Sequence, residues 1–154
     1  MKRILTFIAI AVIGISAFTG CQKYEFSPSM SATIDTMSFT ASGKSNVSAH
    51  IDSVGTLHSL IINGYSDVFT PGTAVKPTIV LTVPNAVGDY TIDTNNNTRN
   101  AMIYTARSGS VGTRAVSGIV KVFGLDGGNV SGSFSFTCAD GTVVTNGKFI
   151  AHRY

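Results

Sequence analysis

Residues 130–138, VSGSFSFTC, constrain the fold more than any other stretch. Val130, Gly132, Phe134, Phe136 and Cys138 share one parity, and Ser131, Ser133, Ser135 and Thr137 share the other. Successive side chains of a β-strand point to opposite faces, so this alternation makes a strand with one apolar face and one hydroxyl face. Such a strand needs a second layer to cover its apolar face, so the rest of the chain must supply sheet.

The same period recurs upstream. Ala32 and Ile34, then Met37, Phe39 and Ala41, alternate with polar residues around Asp35-Thr36, which predicts a hairpin. Val47, Ala49 and Ile51 follow, ending at Asp52-Ser53-Val54-Gly55. Residues 57–65 read as a strand stopped by Asn63-Gly64, and 66–77, with two prolines and a glycine, as a loop. Residues 78–83 are an apolar strand ended by Pro84, 90–92 a short strand, 93–98 the most polar loop, and 101–106 another strand. After a Gly-Ser linker comes a strand over 117–123, then a turn at Leu125-Asp126-Gly127-Gly128-Asn129. Beyond 130–138, Asp140-Gly141 turns the chain. Residues 142–145, Asn146-Gly147 and 148–154 then predict a closing hairpin-like pair. Roughly nine or ten strands without helical period predict an all-β fold, an antiparallel β-sandwich with a partly open β-barrel as the alternative.

The amino-terminal stretch carries a different message. Lys2 and Arg3 precede an uncharged apolar run over 4–18, and Phe18-Thr19-Gly20 leads to Cys21. That is the layout of a secretory signal, too short for the ~20 residues of a spanning helix. The cysteine after small residues resembles the lipobox of bacterial lipoproteins, in which the thiol is acylated and becomes the new terminus. Cys21 is therefore the expected lipidation site, with membrane lipid as its partner, 1–20 as the signal and 21–30 as a tether. Several acyl chains on one cysteine would make the attachment durable.

Removing residues 1–20 from the 154 leaves 134, one domain over 31–154 with room for a core. Lys2 and Arg3 leave with the signal, so 11 basic residues become 9 against 8 acidic. No basic stripe remains, which argues against a nucleic-acid partner. With Cys21 acylated, Cys138 has no disulfide partner, and stability must come from packing.

SATIDTMSFTAS near the start and SGIVKVFGLDGGNVSGSFSFTCADGTVVTNGKF near the end together resemble a family of small Bacteroidota lipoproteins of unknown function. The likeness covers both ends of the mature domain but not its middle, and implies no activity. Thr36 stands where that family often has Gly in the first hairpin. The resemblance implies an outer-membrane location and gives Glu25, soon after the cysteine, the place of an acidic surface-export signal. It also implies O-glycosylation at Thr36 and Ser53, because Asp35-Thr36-Met37 and Asp52-Ser53-Val54 match the Asp-Ser/Thr-aliphatic pattern used in that group.

Catalytic chemistry is hard to find. Glu25, Asp35, Asp52, Asp67, Asp89, Asp93, Asp126 and Asp140 fall in the tether or in predicted turns, where Asp caps its own backbone. His50, His58 and His152 form no ligand pattern, although His50 and His58 lie on successive strands that would let them approach. Cys138 shares the face of Phe134 and Phe136, as a buried thiol would. No nucleophile elbow or phosphate loop appears, and no metal or cofactor is expected. The expectation is a non-enzymatic envelope lipoprotein, a binding or structural module whose loops 66–77 and 93–100 face a protein or glycan partner. The alternative is a barrel carrying a small apolar ligand in an interior of about 300 Å3 or more.

Overall fold

The computed structural model describes residues 26–54, 57–68, 76–104 and 112–154. Cys21, Glu25 and the signal lie outside the described residues, as do 69–75 and 105–106. Among the described residues there is no helix and there are ten strands: β1 (Ser29–Ile34), β2 (Met37–Ser42), β3 (Val47–Val54), β4 (Leu57–Tyr65), β5 (Thr78–Pro84), β6 (Gly88–Thr91), β7 (Asn100–Tyr104), β8 (Thr113–Gly124), β9 (Asn129–Cys138) and β10 (Val143–Arg153).

The fold is all-β and sandwich-like. One layer runs β2-β1-β10-β9-β8-β6 and the other β3-β4-β5-β7, antiparallel within each. Two short seams join them. β10 meets β3 in parallel at His152↔Ser48 and Arg153↔Ala49, and β8 meets β7 at Met102↔Arg114 and Ile103↔Thr113. Each joining strand changes neighbour along its length, and each carries a register shift, between Val144 and Gly147 in β10 and between Ala115 and Ser117 in β8. Bulges of this kind bend a strand so that it can serve two layers.

The inner faces fill one core. Met30, Ile34, Phe39, Val130, Phe134, Phe136, Val144 and Phe149 come from the first layer. Val47, Leu60, Ile62, Ile79, Leu81 and Ile103 come from the second. Each large side chain buried this way contributes about 1.5–3 kcal/mol relative to exposure. Layer meets layer directly where the Met30 thioether lies against Gly64, leaving no room for a Cβ there. β4 spans Leu57–Tyr65, the bounds read from the sequence, with Asn63 and Gly64 paired to Val80 and Ile79 as members of the ladder rather than acting as its stop.

Three further expectations change. Asn146-Gly147 is not a hairpin turn but a bulge inside the continuous β10, with Asn146 in the left-handed region at φ 54. β8 starts at Thr113, four residues ahead of the predicted strand. Met37 and Ile51 keep the apolar parity but are 36% and 39% exposed, although their register partners Ile34 and Leu60 are buried. The first hairpin is where it was expected: Ile34 pairs with Met37. Its left-handed residue is Asp35, at φ 51. The Asp35 backbone N–H donates to the Val143 carbonyl at 2.7 Å and its carboxylate accepts from the Val143 N–H at 2.9 Å, which ties the turn to β10.

Candidate functional site

The alternation that buries one face of β9 turns its hydroxyl face outward, in the middle of the larger layer. Register carries this across the sheet: Thr40, Ser31, Lys148, Ser133, Lys121 and Asp89 are successive partners from edge to edge. Two adjoining hollows of about 690 and 610 Å3 lie on this face and share Ser31, Ser133 and Lys148. Lys121 reaches Asp89 at 2.7 Å. That pair is exposed at 40% and 59%, and such pairs contribute about 0.2–1 kcal/mol. Small hydroxyls and a lysine ammonium on a rigid sheet are hydrogen-bond donors and acceptors for a polar surface. They include no nucleophile–base pair.

The polar loop 93–100 is held in shape by its own side chains. Asp93 Oδ1 accepts from the Asn95 N–H at 2.9 Å, and Asn96 Oδ1 accepts from the Thr98 N–H at 2.8 Å and its hydroxyl at 2.7 Å. The Asn100 amide donates to the Asn97 carbonyl at 3.0 Å, and Arg114 from β8 donates to Asn97 Oδ1 at 3.2 Å. These are the local turns that Asp and Asn favour. Of the loop 66–77, the described start is tied down as well. Asp67 accepts from the Ser42 hydroxyl at 2.8 Å and the Asn46 amide at 2.7 Å, and its N–H donates to Thr40. The Ser42 hydrogen bond chiefly holds the Asp67 carboxyl below its ordinary value.

The carboxylates do not all sit in turns. Asp52 belongs to β3 and Asp89 to β6, each exposed on a strand. Asp140 does cap its turn, accepting from the Thr142 N–H at 3.0 Å, and that bond lowers its pKa. Asp126 also serves a turn, with its carbonyl accepting from the Asn129 N–H at 2.8 Å. Among the described residues no three His, Cys, Asp or Glu side chains gather as a metal site would require. His50 pairs with Ile61 and His58 with Ser53, on opposite parities of the hairpin. The two imidazoles therefore leave from opposite faces and do not approach. His58 Nδ1 instead meets the Ser53 hydroxyl at 2.8 Å.

Cys138 is 2% exposed, in register with the aromatic row as expected. Burial pushes its thiol up to about 11, which leaves it protonated and poorly nucleophilic at neutral pH. Of the two residues matching the glycosylation pattern, Thr36 is exposed in the first turn, whereas Ser53 lies in β3 and not in a turn. The outward row through Lys121 and Lys148 escaped the sequence reading. Its signal was present, since Lys121 stands on the parity opposite Val120 and Val122.

No known protein family, curated protein or solved structure matches the chain.

Proposed function

We propose that the chain is a lipid-anchored protein of the bacterial envelope, attached through acylated Cys21, whose β domain is a non-catalytic module that binds a protein or glycan. We further infer membership of the small Bacteroidota lipoproteins that its two end segments resemble, with the outer membrane as the site of attachment. The observation that carries the binding reading is the contrast between the two faces of the larger layer. Its inner face is packed with side chains against the second layer, while its outer face is an open trough of serines and lysines. Binding then belongs to the outside, where the trough and the self-braced loop 93–100 offer polar groups whose geometry is already fixed. Preorganised groups lose little entropy on binding. The buried apolar cluster that the two inner faces share also favours this reading over a carrier, which needs room within.

Photo-crosslinking in cells tests it, with a photoreactive side chain placed at Ser133 in the trough, at Asn97 in the loop, and at Asp52 as a remote control. A discrete adduct from Ser133 or Asn97 and none from Asp52 supports the module. Absence of adducts at both positions, together with no retention on an array of envelope glycans, sinks it. Lipid recovered stoichiometrically from the purified domain would replace it with the carrier.

A further inference from the structure

The exposed apolar residues of the larger layer gather at its two ends: Met37, Val116 and Val143, 36%, 47% and 39% exposed, at the end that holds the first turn, and three more strongly exposed side chains at the other. Phe26 is 55% exposed, Val87 59% and Phe123 62%. Register places them at one end of the sheet. Ser29 pairs with Ile150, Ile150 with Ser131, and Ser131 with Gly124, next to Phe123. Gly88, next to Val87, pairs with Val122. A hollow of about 220 Å3 lies between Phe26, Gly124, Ser131 and Ile150. Phe123 and Ile150 also line the adjoining hollow with Lys148. The result is an apolar rim at the end of the sandwich where the chain enters the domain.

That entry point is what selects the occupant. Phe26 follows Cys21 by five residues, and five residues span at most about 18 Å even fully extended. An acylated Cys21 sits at the bilayer surface, so this end of the domain stays within reach of it. We propose that the rim of Phe26, Val87, Phe123 and Ile150 seats on the membrane surface. This end of the sheet would then face the bilayer, with the Lys148 ammonium at headgroup level. This rests on the lipid anchor of the preceding section. Apolar rings with a lysine above them match the interfacial layer, where aromatic bodies sink and charged heads stay hydrated. Asp126 lines the hollow at this rim and Lys148 the adjoining one, so charges of both signs border it and the seating is apolar in character and insensitive to salt. The opposite end, at Met37 where β2 leaves the first turn, would point away from the lipid.

The chain has no Trp, so single substitutions report on depth without background. The full-length acylated protein is reconstituted as F123W, as V87W for a second reporter at the rim, and as M37W for the far end. The vesicles contain phosphatidylethanolamine and phosphatidylglycerol with brominated acyl chains. The expected result is blue-shifted emission for F123W and V87W, quenched several-fold more than M37W and unchanged by added salt. Equal quenching at both ends, in protein that carries the acyl mass and floats with the vesicles, overturns the seating and leaves the anchor standing. A blue shift that depends on protein concentration and is not quenched assigns the rim to a second copy, which also overturns it. Protein lacking the acyl mass and failing to float overturns the anchor and the seating together.

Discussion

Phe149 of β10 lies over Gly132 of β9, its register partner across the ladder. The relationship repeats: Gly147 of β10 faces Phe134 of β9, and Gly118 of β8 faces Phe136. At Gly132 and Gly147 a ring covers a neighbouring backbone that has no side chain to shield it, and at Gly118 the Cα and Cβ of Phe136 crowd the position instead. The rings then pack on one another, with centroids 6.1 Å apart for Phe134–Phe136 and 6.3 Å for Phe134–Phe149. The glycines of these strands are therefore sockets, and the aromatic row fits because they are empty.

Filling a socket should be costly. A Cβ at Gly132 would meet both the Phe149 ring and the Lys121 carbonyl. G132A is expected to lose about 1–3 kcal/mol, as overpacked cores do, and F149A about 3–5 kcal/mol. The double variant should cost less than the sum, since removing the ring frees part of the space, while the Lys121 carbonyl prevents full recovery. Urea denaturation of the four proteins measures this, and strict additivity would falsify the socket.

Cys138 makes the fold alkali-sensitive in a predictable direction. Its thiol has a folded pKa of about 11 against an ordinary 9.0, raised first by burial. Above pH 9.0 the unfolded chain releases this proton while the folded chain keeps it. Stability present below that pH is thus lost as pH rises toward the folded value. Unfolding midpoints of the wild type should fall more steeply than those of C138A across this window. The native thiol should also resist a disulfide reagent at neutral pH and react only on unfolding.

Acid acts through different residues. Asp67 and Asp140 are held below the ordinary 3.8, Asp67 chiefly by the Ser42 hydroxyl and Asp140 chiefly by the Thr142 N–H. A depressed carboxylate contributes stability above its unfolded pKa and loses it as pH falls through the folded value. D67A should therefore unfold at a lower temperature near neutrality and lose less on acidification. Thermal midpoints from about pH 6 down to about pH 2 separate these effects, and parallel curves would show that Asp67 ties nothing down.

Asn146 offers a conformational test. Its side chain is exposed, so substitution removes no packing, yet its φ of 54 suits only Gly and Asn well. N146G should match or slightly exceed the wild type in stability. N146V should cost about 1–2 kcal/mol, the penalty of a left-handed β-branched residue. Equal stability of the two variants would mean that β10 can run without its bulge.

β9 was fully legible in the sequence, because Val130 to Cys138 pair every apolar position with a polar one and each is buried as its parity requires. Legibility failed where one signal has two meanings. Asn146-Gly147 is the strongest hairpin dipeptide, but the same left-handed preference makes a bulge when both flanks stay paired to β9. Gly64 looked like a stop, but its purpose is to admit Met30 from the other layer, a contact between residues 34 apart that no local pattern displays. The exposure of Ile51 and Met37 was not legible, because parity says which face a residue takes but not whether anything covers it there. The trough is legible residue by residue from parity, but its rows exist only once register aligns Ser31, Lys148, Ser133 and Lys121.

The two seams at the ends of β10 and β8 also set an order of events. Among the described residues the β1–β2 hairpin pairs with no strand but β10, and β3 meets the end of the chain at His152, Arg153 and Tyr154, whose N–H donates to the Ala49 carbonyl at 3.1 Å. Ser29 therefore waits for Ile150. Contacts this distant in sequence are slow to form, because the intervening loop must close first. A chain emerging amino end first exposes its opening hairpin until the closing strand arrives. Pulse-labelled amides of β1 should accordingly become protected together with those of β10, and not with those of β2 alone.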